Sequence, residues 1–215
     1  SRTGLVKGDR IINTLINLVG EQLIEDLPVR YTAVAADVSN EKEIWLNSGR
    51  LFDAIRASIS LPLFFTPHPY QGMQLIDGGV LNPVPIAPTF SDNTDMTLAI
   101  NLGGPVDNSR SINQLPEKPA DDPEWLHGKI THYIKTQLRE NVEKITDVDW
   151  IAYDIANQAF DAMQGAIARQ KLAAYPPNHT IEIARNACGT LEFDRADEMI
   201  SLGYEKTRAS LSPVA

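Results

Sequence analysis

The sequence predicts an α/β fold in which a mostly parallel sheet is covered by helices on both faces. Segments rich in β-branched residues alternate with segments whose apolar residues recur every three or four positions, as in parallel α/β proteins. The chain has 215 residues, of which 43% are hydrophobic and 22% are charged. That length and composition can bury a core in one domain, or in one domain with an appendage.

The first quarter of the chain predicts two helices and two strands. The first helix begins at Asp9, whose carboxylate can cap it, and is closed by Pro28. A buried strand is predicted over 29–38 and a short partner strand over 43–46. Helical spacing resumes over 51–58 and ends at the Leu61-Pro62 step, because the residue before proline disfavours helix.

The middle of the chain contains an Asp-Gly-Gly turn between two extended segments, 73–76 and 80–81. Residues 96–102 predict a central strand. Residues 103–123 contain four prolines and many polar residues without an apolar period, which indicates a long flexible excursion.

The last third predicts two long helices, a strand and a final helix. The helices cover about 129–145 and 149–171, the strand covers 179–184, and Asp194 caps the final helix. The second long helix has a candidate buried stripe: Ile151, Ile155, Ala159, Met163 and Ile167.

Composition and motif content exclude several classes of function. A formal charge of −9 without a basic run argues against nucleic-acid binding, which needs clustered cations. The single cysteine, Cys188, excludes a disulfide framework, and the four histidines have no metal-ligand spacing. No Gly-x-Ser-x-Gly elbow and no glycine-rich phosphate loop occurs in the 215 residues. We therefore expect no metal and no cofactor.

Three sequence elements follow one another within about 30 residues. They are Ala57-Ser58-Ile59-Ser60-Leu61-Pro62, then Leu75-Ile76-Asp77-Gly78-Gly79-Val80, then Asn82-Pro83-Val84-Pro85. An isolated Asp-Gly-Gly is most often only a turn, because glycine accepts positive φ. The ordered set resembles the patatin-like phospholipase family. Further segments that are similar to this family are 4–9, 35–38, 98–101 and 192–204.

This resemblance implies a three-layer α/β/α fold and an acyl-ester hydrolase with a Ser-Asp dyad. In that family the aspartate of the turn activates the serine directly, and the matching residue is Asp77. Gly78 and Gly79 complete the motif turn and let the backbone bend without a Cβ clash. The resemblance assigns Ser58 and Pro62 to packing beside the site.

The family's serine elbow and oxyanion loop would lie N-terminal to Ser1, so the sequence predicts half of an active site. Ser58 and Ser60 are the alternative nucleophiles within the chain. We expect a fragment that lacks N-terminal strands and is inactive by itself, whose longer parent hydrolyses a lipid or a small ester. An unpaired sheet edge in such a fragment predicts a homo-oligomer.

The same resemblance divides the chain into three parts. Residues 1–102 form the C-terminal part of the catalytic domain, and 103–123 form the flexible excursion. Residues 124–215 complete that domain or are appended to it.

Two other functions stay open. The parent could be a non-catalytic lipid- or protein-binding module, or an unrelated α/β regulatory domain in which Asp77 is only a turn residue. The long helices could also serve as a lid or a docking surface. The net charge disfavours purely electrostatic membrane docking, and no apolar run reaches the roughly 18 residues of a membrane span. We expect a cytoplasmic or peripheral-membrane location.

Overall fold

A computed structural model describes residues 8–62, 64–108, 150–189 and 192–211. The chain forms two compact units, the first made of 1–95 with 148–176 and the second of 96–147 with 177–215. The predicted division at residues 102 and 123 stays a prediction, because most of 103–149 lies outside the described residues.

The first unit contains a four-stranded sheet in the order β2-β1-β4-β3. These strands are β1 (Ala33–Asp37), β2 (Lys42–Leu46), β3 (His68–Tyr70) and β4 (Met73–Asp77). Its helices are α1 (Asp9–Val19), α2 (Leu51–Ser58) and α3 (Trp150–Ala174). The strands predicted near 29–38 and 43–46 and the helix over 51–58 are confirmed.

Strand β1 is the centre of this unit because all five of its residues are buried. Its small alanines leave room for Ala54 and Ala57 of α2 to pack closely. Leu75 of β4 is fully buried in the same cluster. The hydrophobic core of the first unit therefore lies directly beside the end of β4, where Asp77 is located.

The α/β class is confirmed, but the strand directions of this sheet differ from the predicted mostly parallel arrangement. β1 runs antiparallel to β2 and to β4, and β3 runs antiparallel to β4. Short connections explain two of these pairings, since a parallel pair needs a crossover of a dozen or more residues. Between β3 and β4 only Gln71 and Gly72 intervene, with φ of 46° and 81°. Two consecutive positive φ angles are typical of a tight hairpin turn.

The described part of the second unit consists of two parallel strands and a helix. β5 (Leu98–Gly104) pairs in parallel with β6 (His179–Ala184), and α4 (Ala196–Leu211) packs against β6. The strands predicted at 96–102 and 179–184 are confirmed, as is the final helix. Asp194, predicted as the cap of that helix, lies instead within the short 3-10 helix Phe193–Arg195 that precedes it. This pair is the parallel component of the fold.

Two helix predictions were wrong in detail. Helix α1 ends at Val19, long before Pro28, because Gly20 leaves the helical conformation with φ of 83°. Asp9 lies in its first turn, and the capping residue is Gly8, which has no side chain to cap with.

The buried stripe predicted for the second long helix was wrong at three of its five residues. Ile155, Ala159 and Met163 of α3 are exposed, whereas Ala168 is buried and Gln164 is half-buried. Ile167 is half-buried, and the side chain of Ile151 lies outside the described residues. The face of α3 that lies against the Asp77 turn therefore includes the small Ala168 and the polar Gln164. The predicted helix over 129–145 and most of the excursion over 103–123 lie outside the described residues.

Candidate active site

Asp77 is the last residue of β4 and lies opposite Ala35 of the buried strand β1. Its backbone N–H donates to the carbonyl of Ser60, 3.0 Å away. The chain then turns at once into a short 3-10 helix, Gly78–Val80. The predicted turn is present, although its second arm is this helix and not the extended segment expected at 80–81.

The carboxylate of Asp77 is held by the turn that it begins. Its Oδ1 accepts a hydrogen bond of 2.6 Å from the backbone N–H of Gly79. Burial raises the pKa of Asp77 above its ordinary value, and the Gly79 hydrogen bond lowers it by less. A partly buried carboxylate of raised pKa is a stronger base than one in water, as general-base catalysis near neutral pH requires.

Only glycine can occupy position 78. A Cβ at Gly78 would lie 2.2 Å from the carbonyl oxygen of Val34 and 2.6 Å from its carbonyl carbon. These are backbone atoms of β1, the buried strand, so they cannot swing aside. The close approach sets the position of the turn against the sheet.

Position 79 is crowded in a different way. A Cβ at Gly79 would lie 2.6 Å from Nε2 of Gln164 and 3.0 Å from Oδ1 of Asp77. The first of these atoms ends a flexible side chain on helix α3. The turn is therefore bounded by backbone at Gly78 and by a side-chain amide at Gly79.

The structure places the two serines of the 57–62 segment in internal hydrogen bonds. Ser58 Oγ donates to the carbonyl of Val34 at 2.8 Å, the same carbonyl that Gly78 approaches. Ser60 is fully buried, and its Oγ donates to the carbonyl of Arg56 at 2.7 Å. Pro62 is half-buried in the turn that follows. Neither hydroxyl is presented as a free nucleophile.

A buried arginine, Arg56, organises this segment and was missed by the sequence reasoning. Its side chain is 3% exposed, and its guanidinium donates to Ser60 Oγ, to both oxygens of Thr66 and to Asp9 Oδ1. It also lies over the ring of Phe65, 5.7 Å from the ring centre. Arg56 thereby ties α1, α2 and the segment before β3 together.

A second polar cluster joins the segment after the turn to strand β2 and helix α3. Asn82 is 3% exposed, and its Nδ2 donates to Glu43 Oε2 at 2.9 Å. Lys171 Nζ of α3 donates to Glu43 Oε1 at 2.5 Å. Burial alone would raise the pKa of Glu43, but the hydrogen bonds from Lys171, Asn82 and Trp45 outweigh it and hold that pKa below its ordinary value. Asn82 belongs to the third motif element, so this motif was the sequence signal that could have identified it.

Other candidate groups do not form a site among the described residues. No three His, Cys, Asp or Glu side chains of this part of the chain lie where they could share a metal ion. Burial raises the pKa of the Cys188 thiol, which disfavours the reactive thiolate. Burial lowers the pKa of His68, so this residue is mainly neutral at pH 7. In the described ranges, no helix combines the length and the apolar character needed to cross a bilayer.

The α/β scaffold and its Asp-Gly-Gly turn at a strand end define the class of protein. The family model described as patatin-like phospholipase matches residues 1–90. An uncharacterized NTE family protein of Mycobacterium tuberculosis is 30% identical over 246 residues, which cover 94% of this chain and 68% of the relative. The chain belongs to the patatin-like phospholipase family.

More distant relatives are longer proteins. Mouse patatin-like phospholipase domain-containing protein 7 is 29% identical over 210 residues, covering 96% of this chain and 14% of the relative. Lysophospholipase NTE1 of Pyricularia oryzae is 23% identical over 186 residues, covering 86% of this chain and 11% of the relative.

Proposed function

We propose that the protein is a serine-type lipid acyl hydrolase in which Asp77 is the general base. Family membership and a relative named lysophospholipase support a lipid hydrolase in general. The observation that carries the specific assignment is the Asp77 carboxylate, partly buried at a strand end and fixed by the N–H of Gly79.

The hydrogen bonding of Asp77 suits a base that acts on a serine hydroxyl. Oδ1 is engaged by Gly79, and among the described residues no donor is bonded to Oδ2. Oδ2 is therefore the oxygen that takes the proton as the serine attacks the ester carbonyl. The proton is then available for the leaving alcohol, so that a Ser-Asp pair completes the transfer without a histidine.

We propose that the nucleophilic serine and its oxyanion donors come from residues N-terminal to Ser1. The support is that no Gly-x-Ser-x-Gly elbow occurs in the 215 residues and that Ser58 and Ser60 are engaged internally. The 215-residue chain by itself should then hydrolyse nothing specifically, since loss of one oxyanion donor alone costs about 10² to 10³ in rate.

The experiment uses a longer polypeptide of this protein that carries the elbow, assayed with a lysophospholipid and with a short p-nitrophenyl ester. Asp77→Asn should lower kcat by about 10² to 10⁴, because the variant keeps the hydrogen bond to Gly79 but cannot accept the proton. Asp95→Asn is the matched control, since Asp95 is exposed in the same unit. Equal activity of Asp77→Asn and Asp95→Asn would mean that Asp77 is only a turn residue.

A second candidate is a binding module that retains the fold without catalysis. A longer polypeptide that also lacked the Gly-x-Ser-x-Gly elbow would favour it. If the longer polypeptide bound lysophospholipid micelles but released no fatty acid, this function would replace the hydrolase.

Self-association through a sheet edge completes the proposal. In the described sheet, β2 and β3 are the edge strands, and an edge with free N–H and C=O groups can pair with a second copy. Size-exclusion chromatography with light scattering should find a dimer of the 215-residue chain, and a monomer at all concentrations would contradict this.

A further inference from the structure

One face of helix α3 is directed at the Asp77 turn. Gln164, Ala168 and Lys171 are four and three residues apart, so they follow one face of the helix. Ala168 is 2% exposed, which brings the helix backbone close to its neighbour. Gln164 borders Gly79 at one end of this face, and Lys171 bonds Glu43 at the other.

The Gln164 amide and the Asp77 carboxylate share the same side of Gly79. The point that a Cβ of residue 79 would occupy is 2.6 Å from Gln164 Nε2 and 3.0 Å from Asp77 Oδ1. The separation of the amide nitrogen from the carboxylate oxygen cannot exceed the sum of these distances. The amide nitrogen therefore lies close to the bonded carboxylate oxygen, on the same side of the turn.

We propose that Gln164 is a positioning residue, which closes the Asp77-Gly78-Gly79 turn from helix α3 and holds the Asp77 carboxylate in place. This proposal rests on the proposed function for its kinetic consequence only. Gln164 does not touch the reacting atoms. It acts by excluding water from the Gly79 hydrogen bond and by limiting the motion of the turn.

The contacts of Lys171, at the other end of this face, help to hold Gln164 opposite the turn. Lys171 donates to Glu43 of β2, and Glu43 accepts from Asn82, which follows the turn in sequence. The backbone N–H of Asn82 in turn donates to the carbonyl of Gly78 at 2.8 Å. Helix α3 is thus connected to the turn through two routes, and the charged groups Lys171 and Glu43 neutralise each other.

The first test measures the titration of Asp77 in the 215-residue chain by carbon NMR of ¹³C-carboxyl-labelled aspartate. The resonance of Asp77 is identified by its loss in Asp77→Asn. Gln164→Ala should lower the pKa of Asp77, because water then reaches the carboxylate. Gln164→Glu, of nearly the same shape, should raise it, because a second negative charge opposes ionisation. Gln158→Glu, an exposed change on the same helix, should leave it unchanged.

Gln164→Glu tests whether residue 164 lies close enough to act on the carboxylate, and Gln164→Ala tests whether the amide shields that carboxylate from water. If Gln164→Ala and Gln164→Glu both left the pKa of Asp77 at its wild-type value, Gln164 would not position the carboxylate. If Gln164→Ala failed to fold, Gln164→Asn, whose shorter amide withdraws from the turn, would replace it, and an unchanged pKa of Asp77 would then overturn the proposal.

The second test measures kcat and KM in the longer, active polypeptide. Gln164→Ala should reduce kcat about tenfold and leave KM within twofold, since a misplaced base affects the chemical step. A rise in KM alone would overturn the positioning role. If the longer polypeptide had no activity, the proposed function would fail, while the NMR titration would still decide the role of Gln164.

Discussion

Replacing Gly78 by alanine should be the most damaging small change in the first unit. The new Cβ would lie 2.2 Å from the Val34 carbonyl oxygen, well inside the 3.0 Å that real Cβ contacts respect, so about 0.8 Å of movement is needed. Overpacking a core typically costs about 1–3 kcal/mol. The neighbour here is backbone of the buried central strand, so we expect about 3 kcal/mol. Displacing that carbonyl also weakens its hydrogen bond from Ser58, which adds about 1 kcal/mol.

Urea denaturation, with hydrogen exchange of the β1 amides to follow the first unit, measures this loss. Gly203→Ala provides a control of opposite sign, because nothing lies within 4 Å of its added Cβ in the interior of α4. That variant should gain about 0.5–1 kcal/mol. If Gly78→Ala cost less than about 1 kcal/mol, the close approach of the turn to β1 would be wrong.

Three further changes should alter stability in defined directions. Asp77→Asn should stabilise the folded chain at pH 7 by up to about 1 kcal/mol, because a carboxylate of raised pKa opposes folding once it is charged. This gain in stability should vanish as the pH falls below the ordinary pKa of 3.8. Glu43→Gln should destabilise by about 1–2 kcal/mol at pH 7, and the difference should disappear at acid pH, because a lowered carboxyl pKa gives stability that is lost as pH falls through it. Arg56→Met should cost about 3 kcal/mol at any pH, because it leaves the buried acceptors on Ser60 and Thr66 without their donor. Urea midpoints measured from pH 3 to pH 8 test all three, and a Glu43→Gln effect independent of pH would contradict the Lys171 pairing.

Elements with a strong local signature could be predicted from the sequence. The strand at 33–37 is a run of small and β-branched residues, and α2 over 51–58 has helical spacing followed by proline. Strand directions could not be predicted in this way, since a pattern of apolar residues does not say which neighbour a strand pairs with. The hairpin turn at Gln71-Gly72 makes β3 antiparallel to β4. It was overlooked because only its glycine is a typical turn residue.

The Asp77 turn was found because its residues are adjacent in sequence. The residues that surround the turn were not found, because they are polar and lie far from it along the chain. Gln164 lies outside the apolar stripe predicted for its helix, so the sequence pattern did not single it out. The apolar residues Ile155 and Met163 of that stripe are exposed, so they indicated the wrong buried face. Arg56 was missed because a charged residue within a short helix is ordinarily exposed, and only the acceptors gathered around it explain its burial.

In the proposed mechanism, Asp77 activates a serine that lies outside the 215 residues. The most direct measurement is the intact mass of both polypeptides, this chain and the longer one with the elbow, after reaction with a fluorophosphonate. We expect a single adduct on the longer polypeptide, formed much more slowly in Asp77→Asn, and no adduct on the 215-residue chain. An adduct on Ser58 or Ser60 of the shorter chain, or an unchanged labelling rate in Asp77→Asn, would contradict it.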